Sequence, residues 1–505
     1  MQEAATIPPE NSQLRRRTNH WNWICLLAAI GLHSAIVFPL MNAPTNPMDE
    51  GMVLVYPELL SKGMIPQRDF ASAYPPGNIW FLAGAYRLLG TDIYAERTIG
   101  LLYQVLLLSG IFFLFRSRGL GVAMAGCILP ALVIIMMGNV AFAWTGALAM
   151  GVWSLAVLTQ PGDPRTRGIW AGTLAGLAVT WRADIAPALI LGIGSYCIVA
   201  KWRRRDVYWL ILAGSITLIP LMIHALIVKP SVFYDNLFYL PVIRSHNVRK
   251  LPLNYSNAYA GQLYALIVTS VVSALAVGWK VRGDAEHQGT ALFAAGLFMV
   301  GVLPQGWQRA DAMHLSFVAV LSLPMLVWTV SFLSRNRFMP LFVLCASAMA
   351  LPQAAEYIYT SHSGNLSSYW VTNGDRMIAS SSLPEQRIVD VLKANAKPNQ
   401  SLFVGTKDLR FTFANDVAIY HLFPLLRPAT YYIEFNPSWA NRPNSGLAGD
   451  LAKADWAVLD SSWDHDIEPN GSNIPGSNAP NEVIQKRFKL VYSAEPFELY
   501  RRIAD

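Results

Sequence analysis

The chain contains 505 residues, of which 53% are hydrophobic and only 14% are charged, and its mean hydropathy is +0.32. Soluble domains carry roughly 25% charged residues, so the composition excludes an ordinary soluble protein, a disordered chain and a secreted disulfide scaffold. The apolar residues occur in repeated runs of roughly 15–22, long enough to cross a bilayer core of about 30 Å. The composition therefore predicts a polytopic membrane protein.

Charge and cysteine placement exclude further classes. The net charge is +7, but the basic residues form small clusters at the ends of apolar runs, as the positive-inside rule requires. They do not form the basic stripe that is typical of nucleic-acid binding. The four cysteines lie far apart within apolar runs, without the spacing of a zinc site or a disulfide framework: Cys25, Cys127, Cys197 and Cys345.

The N-terminal segment, residues 1–20, is polar and carries three arginines at 15–17, which predicts a cytoplasmic location before a first span. Later basic clusters are separated by enough apolar sequence for about two crossings each, so all of them can face the cytoplasm. We expect about eleven spans, at roughly 21–41, 98–115, 119–137, 139–158, 169–181, 184–200, 207–228, 260–279, 290–305, 315–334 and 338–355. The odd number places the C-terminal segment on the extracytoplasmic side.

The composition changes near residue 357. Before it, a transmembrane domain at 21–356 includes a first outer loop at 42–97. Beyond it, long apolar runs disappear, and the pattern predicts short strands and an amphipathic helix, at 401–404, 456–459, 488–492 and 497–500 for the strands and 385–395 for the helix. The sequence therefore predicts an all-α polytopic membrane domain followed by a small extracytoplasmic α/β domain at 357–505.

Polar residues at the other ends of the predicted spans must share the extracytoplasmic face. Charge is costly in a membrane and is usually kept for function. We therefore expect these residues to converge on one site: Asp49, Glu50, Arg68, Asp69, Arg182, Asp184, Arg244, His246, Arg309, Asp311 and His314.

The first outer loop carries the sharpest motif, because two adjacent acids, Asp49 and Glu50, are followed by Arg68 and a Tyr74-Pro-Pro turn. A carboxylate can take the proton of an acceptor hydroxyl, and arginine binds phosphate in a bidentate manner. This combination suits transfer of a sugar from a lipid phosphate at the membrane surface. The alternative is that the two acids only cap an amphipathic helix predicted at 52–63.

These features together resemble the first periplasmic loop of GT-C glycosyltransferases, in particular the group with the family 39 protein mannosyltransferases and the lipid A aminoarabinose transferase. The Asp49-Glu50 pair and the Tyr74-Pro-Pro segment, ahead of an interfacial helix predicted at 79–90, carry the resemblance. It implies polyprenyl-phosphate sugar donors, action on the outer face, and Asp49 as the base or acceptor-binding acid with Glu50 as its partner. The chain departs from the family at Tyr74, where a basic residue or histidine is common.

Two further charged groups each have a functional and a structural interpretation. Arg309, Asp311 and His314 can clamp a phosphate and orient a saccharide, or Arg309 and Asp311 can simply pair in an interfacial loop. Arg182 and Asp184 interrupt an apolar stretch and can serve a site, or Arg182 can snorkel to the interface.

The remaining polar groups are less specific. Arg244 and His246 lie in a longer outer loop with tyrosines that can stack on sugars, although an aromatic belt is the commoner reason for such residues. No Asp-x-Asp pair, paired-histidine helix or carboxylate cluster argues for a strong metal site, so no metal or other cofactor is expected. Asp49 and Glu50 could hold a divalent cation, but a monophosphate leaving group does not require one.

The sequence therefore predicts an inverting glycosyltransferase in a bacterial plasma membrane, with a polyprenyl-phosphate sugar as donor and an envelope glycan, lipid or protein as acceptor. Asp49 is expected to act as base, and Arg68, Arg182 and Arg309 to hold a departing phosphate that is stable enough to need no general acid. Tyr74 and the other outer-face residues are candidates for substrate binding. The alternatives are a lipid-linked saccharide flippase or transporter, and a non-catalytic glycan-binding membrane protein. A transporter favours polar residues near the midplane and often internal repeats, whereas here the charges gather at one face and no repeat is visible.

Overall fold

The computed structural model describes residues 9–253, 258–283, 287–333, 369–380, 383–464 and 468–503. The described residues up to 333 form a helical domain, and those from 369 onward form a mixed α/β domain. The last predicted span, 338–355, and Cys345 lie outside the described residues. Cys25, Cys127 and Cys197 are free thiols.

The helical domain is built from long apolar helices and two shorter helices of the first loop. In chain order they are α1 (Pro9–Val37), α2 (Asp49–Ser61), α3 (Gly77–Leu89), α4 (Ile93–Phe115), α5 (Leu120–Ile135), α6 (Ala143–Thr159), α7 (Pro164–Trp181), α8 (Ala186–Val199), α9 (Arg204–Val228), α10 (Pro230–Tyr234), α11 (Ala258–Lys280), α12 (Gln288–Gln308) and α13 (Ala312–Leu333). A π-helical segment, Asp235–Arg244, follows α10.

Six stretches of the described chain are long and apolar enough to cross a membrane: Trp21–Asn42, Ile93–Arg118, Arg204–Val228, Ala260–Lys280, Gln288–Gln308 and Met313–Leu333. Three shorter apolar helices accompany them, Leu120–Ile135, Ala143–Thr159 and Ala183–Val199. The number of eleven spans therefore stays a prediction.

Burial divides these helices into a centre and a periphery. In α13, 78% of the most apolar window is buried, against 17% in α9, whose isoleucine and leucine side chains point outward as in a lipid-facing helix. Helix α9 packs against α7 with their backbones in close contact. A side chain at Gly172 or Gly176 of α7 would collide with the α9 backbone. Such spacing of small residues is the usual way in which membrane helices approach closely.

Of the two first-loop helices, α2 differs from the predicted helix in its bounds and its burial, and α3 agrees with the prediction. Helix α2 begins at Asp49 and is buried from Glu50 to Leu59, so it is enclosed and not amphipathic at a surface. It is covered because Gly51 lies directly against the backbone of Ala418 in the C-terminal domain. Helix α3 matches the predicted apolar helix, and it starts after Pro76, a residue that favours helix starts.

The C-terminal domain contains two sheets. Strands β1 (Tyr369–Asn373) and β2 (Arg376–Ser380) form an antiparallel hairpin. The larger mixed sheet has the order β4-β3-β5-β7-β6, with β3 (Ser401–Thr406), β4 (Arg427–Pro428), β5 (Trp456–Asp460), β6 (Phe488–Ala494) and β7 (Phe497–Arg502). Its helices are α14 (Leu383–Asn395), α15 (Ala418–Leu422), α16 (Leu447–Leu451) and α17 (Ala479–Arg487). The predicted strands and the predicted helix at 385–395 are confirmed.

The C-terminal domain docks on the first outer loop through polar contacts. The Ala418 backbone N–H donates to the carbonyl of Pro47 at 2.9 Å, and that of Ala71 donates to the carbonyl of Tyr431 at 2.8 Å. Glu58 of α2, which is buried, accepts from His421 at 2.6 Å and pairs with Arg376. These contacts hold the domain beside the start of α2, where Asp49 lies.

Candidate functional site

A cavity of about 620 Å³ opens where the ends of several helices meet α2 and the C-terminal domain. Its walls include the junction of α7 and α8, the end of α12 and the start of α13. Seven of the twelve predicted site residues line it: Asp49, Tyr74, Arg182, Asp184, Arg309, Asp311 and His314. The fold therefore brings together positions that are far apart in sequence.

Asp49 is the first residue of α2 and is held by the turn that precedes it. The side-chain oxygen of Asn46 accepts the backbone N–H groups of Met48 at 3.1 Å and Asp49 at 2.8 Å, and its amide donates to Asp49 Oδ2 at 3.2 Å. Burial raises the pKa of Asp49, while the nearby His314 and Arg249 act in the opposite direction. A carboxylate with a raised pKa is better suited to accept a proton near neutral pH.

Glu50 does not line the cavity. Its carboxylate is buried and pairs with Arg97 of α4, at 2.6 Å to Nε and 3.0 Å to Nη2. The remaining Arg97 nitrogen donates to the carbonyls of Met41 and Ala43, at 2.7 and 2.8 Å. The pair ties α2 to α4 and to the end of the first span, which is a structural arrangement.

Arg309 is the centre of a network that connects the C-terminal domain to the cavity. Its Nε donates to Asp311 at 2.7 Å, and its two terminal nitrogens bind the carboxylate of Glu468. Asp311 also accepts the backbone N–H of His314 at 2.8 Å and lies 2.9 Å from its Nδ1. Burial raises the pKa of Asp311, but the hydrogen bonds and charges of His314 and Arg309 outweigh this and lower it to about 2. Asp311 is therefore ionised.

Arg182 also lines the cavity. Helix α7 ends at Trp181, and Arg182 is extended and forms a bidentate pair with Asp184, at 3.0 and 2.6 Å. Its guanidinium carbon lies 4.3 Å from the centre of the Tyr74 ring and 5.4 Å from that of Trp144, in the range of cation–π attraction. The Tyr74 ring therefore lies against the positive charge of Arg182.

Arg249 also lines the cavity and was not identified from the sequence. It is half-buried, and among the described residues no carboxylate lies within ion-pair distance of it. Its charge acts on Asp49 and on Glu434. The sequence feature that could have identified Arg249 is its position in the basic cluster that begins at Arg244.

Five predicted residues lie outside the cavity. Arg68 and Asp69 form an exposed pair with each other at 2.7 Å, so Arg68 is not placed to hold a phosphate there. Arg244 donates to the backbone carbonyl of Ser438 at 3.1 Å, which is a docking contact between the two domains. His246 is exposed, and Glu50 is in its buried pair.

The C-terminal domain contributes lining residues that the sequence did not indicate: Phe413, Ala414, Asn436, Pro437, Trp463 and Glu468. Behind this wall, Glu434 accepts from Tyr56 of α2 at 3.2 Å and from Asn436 at 2.8 Å. Burial, together with the charge of Asp49, raises the pKa of Glu434. The domain is therefore part of the cavity and not a separate appendage.

No family model matches the sequence, and no curated protein does. Among solved structures, ArnT from Cupriavidus metallidurans bound to undecaprenyl phosphate aligns over 96% of this chain and 98% of its own, with a TM-score of 0.57 and 11% identity. Its apo state aligns over 96% and 99%, with a TM-score of 0.56 and 11% identity. The arabinofuranosyltransferase AftD from Mycobacteria aligns over 96% of this chain and 40% of its own, with a TM-score of 0.51 and 14% identity. ArnT, the lipid A aminoarabinose transferase, and AftD are both GT-C glycosyltransferases. The chain has the GT-C fold.

This result confirms the resemblance inferred from the first outer loop, at the level of the fold. The GT-C fold and the six apolar stretches identify the chain as an integral membrane protein. In the part of this GT-C chain that the structure describes, no cluster of three or more His, Cys, Asp or Glu side chains could hold a metal ion.

Proposed function

We propose that this GT-C chain is an inverting glycosyltransferase that moves a sugar from a polyprenyl-phosphate donor to an acceptor of the cell envelope. The observation that carries the proposal is the position of Asp49, in a cavity that it shares with three arginines. Asp49 takes the proton of the acceptor hydroxyl while the hydroxyl oxygen attacks the anomeric carbon, as in general base catalysis. The undecaprenyl phosphate in the ArnT complex supports a lipid phosphate as the carrier.

Arg249 is the best-placed arginine to bind the donor phosphate. Arg182 and Arg309 line the same cavity, but each is already held by carboxylates, of Asp184 and of Glu468 respectively. An arginine without such a partner can offer its full fork of donors to phosphate oxygens. In this proposal Arg182 and Arg309 shape and polarise the cavity, and Arg249 makes the direct contact.

The location of the cavity favours an enzyme over a flippase or transporter. Its charged groups lie at helix ends and in loops, whereas transporters place substrate sites near the bilayer midplane.

We propose that the cavity and the C-terminal domain face the extracytoplasmic side. Reporter fusions after residues 45, 183, 250 and 310 are expected to report that side, and a cytoplasmic signal at two of them would contradict this topology.

The direct test is transfer by the purified protein in lipid nanodiscs. We expect incubation with a panel of polyprenyl-phosphate sugars and envelope acceptors to give a glycosylated product by mass spectrometry. Asp49→Asn is expected to abolish transfer and retain donor binding. Asp69→Asn is the matched control, since it makes the same exchange in the same loop but outside the cavity. Equal transfer by Asp49→Asn and wild type would exclude Asp49 as the base, whereas no transfer by either would favour a transporter or a glycan-binding protein.

A further inference from the structure

The His314 ring is fixed at one nitrogen and available at the other. Its Nδ1 lies 2.9 and 3.0 Å from the two carboxylate oxygens of Asp311, and because the ionised carboxylate can only accept, Nδ1 carries the hydrogen. The ring packs edge-on against Phe317, with 6.4 Å between ring centres. Its Nε2 has no hydrogen-bond partner among the described residues, and the side chain is 30% exposed and lines the cavity.

The described part of the cavity lining has one more acid than it has arginines. In the described part of its lining, three arginines stand against four acids: Arg182, Arg249 and Arg309, against Asp49, Asp184, Asp311 and Glu468. A lipid-phosphate sugar adds one more negative charge. Of these lining residues, His314 is the one whose side-chain type can gain a positive charge near neutral pH.

Departure of the sugar makes this imbalance larger. The donor phosphate is a diester with one negative charge, and it becomes a monoester that carries two charges unless it receives a proton, since its second pKa is near 6. Asp311 holds the Nδ1 of His314, and the charges of Asp49 and His314 interact. His314 therefore offers a proton donor in the cavity that the donor phosphate is proposed to enter.

We propose that His314, oriented by Asp311, is the general acid of the transfer reaction, an inference that rests on the proposed function. The acceptor oxygen bonds to the anomeric carbon and gives its proton to Asp49. The bond from the anomeric carbon to the phosphate oxygen breaks, its electron pair stays on the phosphate, and His314 delivers its Nε2 proton there. The products are the glycosylated acceptor, polyprenyl hydrogen phosphate, protonated Asp49 and neutral His314. Solvent returns the proton from Asp49 to His314. The structure thus offers a general acid for the leaving phosphate, although none was expected from the sequence.

Two substitutions separate the roles of the ring nitrogens. His314→Asn keeps a donor for Asp311 and removes the Nε2 position, whereas His314→Gln keeps a donor near Nε2 that cannot release a proton. Both are expected to lower kcat roughly 100-fold, in the range measured for general acids. Wild type is expected to lose kcat at high pH, and both variants to lack this basic limb. Added imidazole is expected to restore part of the activity of His314→Asn. A melting curve of each variant confirms that it is folded.

Binding of short-chain polyprenyl phosphate gives a readout that needs no turnover. The wild-type affinity is expected to fall with rising pH, and more steeply than that of His314→Gln. If wild type transfers sugar while both variants keep kcat within about threefold and retain the basic limb, the inference is overturned and the proposed function stands. If wild type transfers no sugar but its affinity for polyprenyl phosphate still falls with rising pH, the proposed function fails, and only the contact of His314 with the phosphate is supported. If both readouts are absent, neither stands.

Discussion

Glu50 and Asp49 are adjacent in sequence, and replacing each carboxylate with an amide tests whether they have different roles. The Arg97 guanidinium is buried with two contacts to Glu50 and two to the carbonyls of Met41 and Ala43. Glu50→Gln leaves that positive charge buried without its main counter-charge. Removing one partner of a buried ion pair costs about 3–5 kcal/mol.

The remaining contacts of Arg97 put the expected cost at the lower end of this range. The carbonyls of Met41 and Ala43 still accept from its Nη1, and the amide oxygen of a glutamine at position 50 can still accept from its guanidinium. We therefore expect Glu50→Gln to lower the free energy of unfolding by about 3 kcal/mol. Folded Glu50→Gln is expected to retain transfer activity.

Chemical unfolding in detergent, with transfer measured on the same samples, is the assay. Asp49→Asn is the matched control, because it makes the same exchange one residue earlier in the half-buried cavity wall. It is expected to change the free energy of unfolding by less than about 1 kcal/mol and to abolish transfer. The assignment of the two acids would be refuted if Glu50→Gln unfolded like wild type while losing transfer as completely as Asp49→Asn.

Three further predictions concern charge. Burial raises the pKa of Asp49 above 3.8, and a general base must be deprotonated to act. We therefore expect kcat/KM to fall as the pH decreases, with a midpoint above pH 3.8. A profile that stays flat down to a pH of about 4 would contradict this. Arg249→Ala is expected to weaken binding of polyprenyl phosphate, measured by titration calorimetry, by roughly 10–100-fold. Arg68→Ala, which lies outside the cavity, is expected to leave the affinity unchanged. Equal losses of affinity in the two variants would show that Arg249 does not bind the phosphate. Burial, with a contribution from the charge of Asp460, raises the pKa of Glu385 from 4.5 to about 7. The folded protein therefore keeps a proton that the unfolded chain releases, and this stabilisation, complete below pH 4.5, is lost as the pH rises through about 7. Melting temperatures at several pH values are expected to show this loss in wild type and not in Glu385→Gln, and parallel curves would argue against it.

The elements that follow from local sequence were predictable. Long uninterrupted apolar runs favour the membrane interior, so the six long apolar stretches of the described chain could be predicted from the sequence. The buried strands at 401–404 and 456–459 appear in the structure as Ser401–Thr406 and Trp456–Asp460, because short apolar runs between polar turns favour strands. The break at Trp181–Asp184 was also visible, since charged residues interrupt an apolar stretch there.

The candidate site was only partly predictable, and the acids of α2 show why. Successive residues of an α-helix point about 100° apart, so Asp49 and Glu50 cannot both face one cavity, and the sequence alone did not indicate which of them would. The choice depends on Arg97, which is 47 residues later in the chain and lies on the Glu50 side.

The sequence by itself determined the class of protein, the position of the first outer loop and seven of the polar residues that line the cavity, because these depend on composition and on short-range order. Only the tertiary structure decided which charges meet. It placed Arg249 and Glu468 in the cavity, left Arg68 and His246 outside, and put Arg182 against Tyr74. Partner choice depends on helix packing and domain docking, which join residues that no local pattern connects.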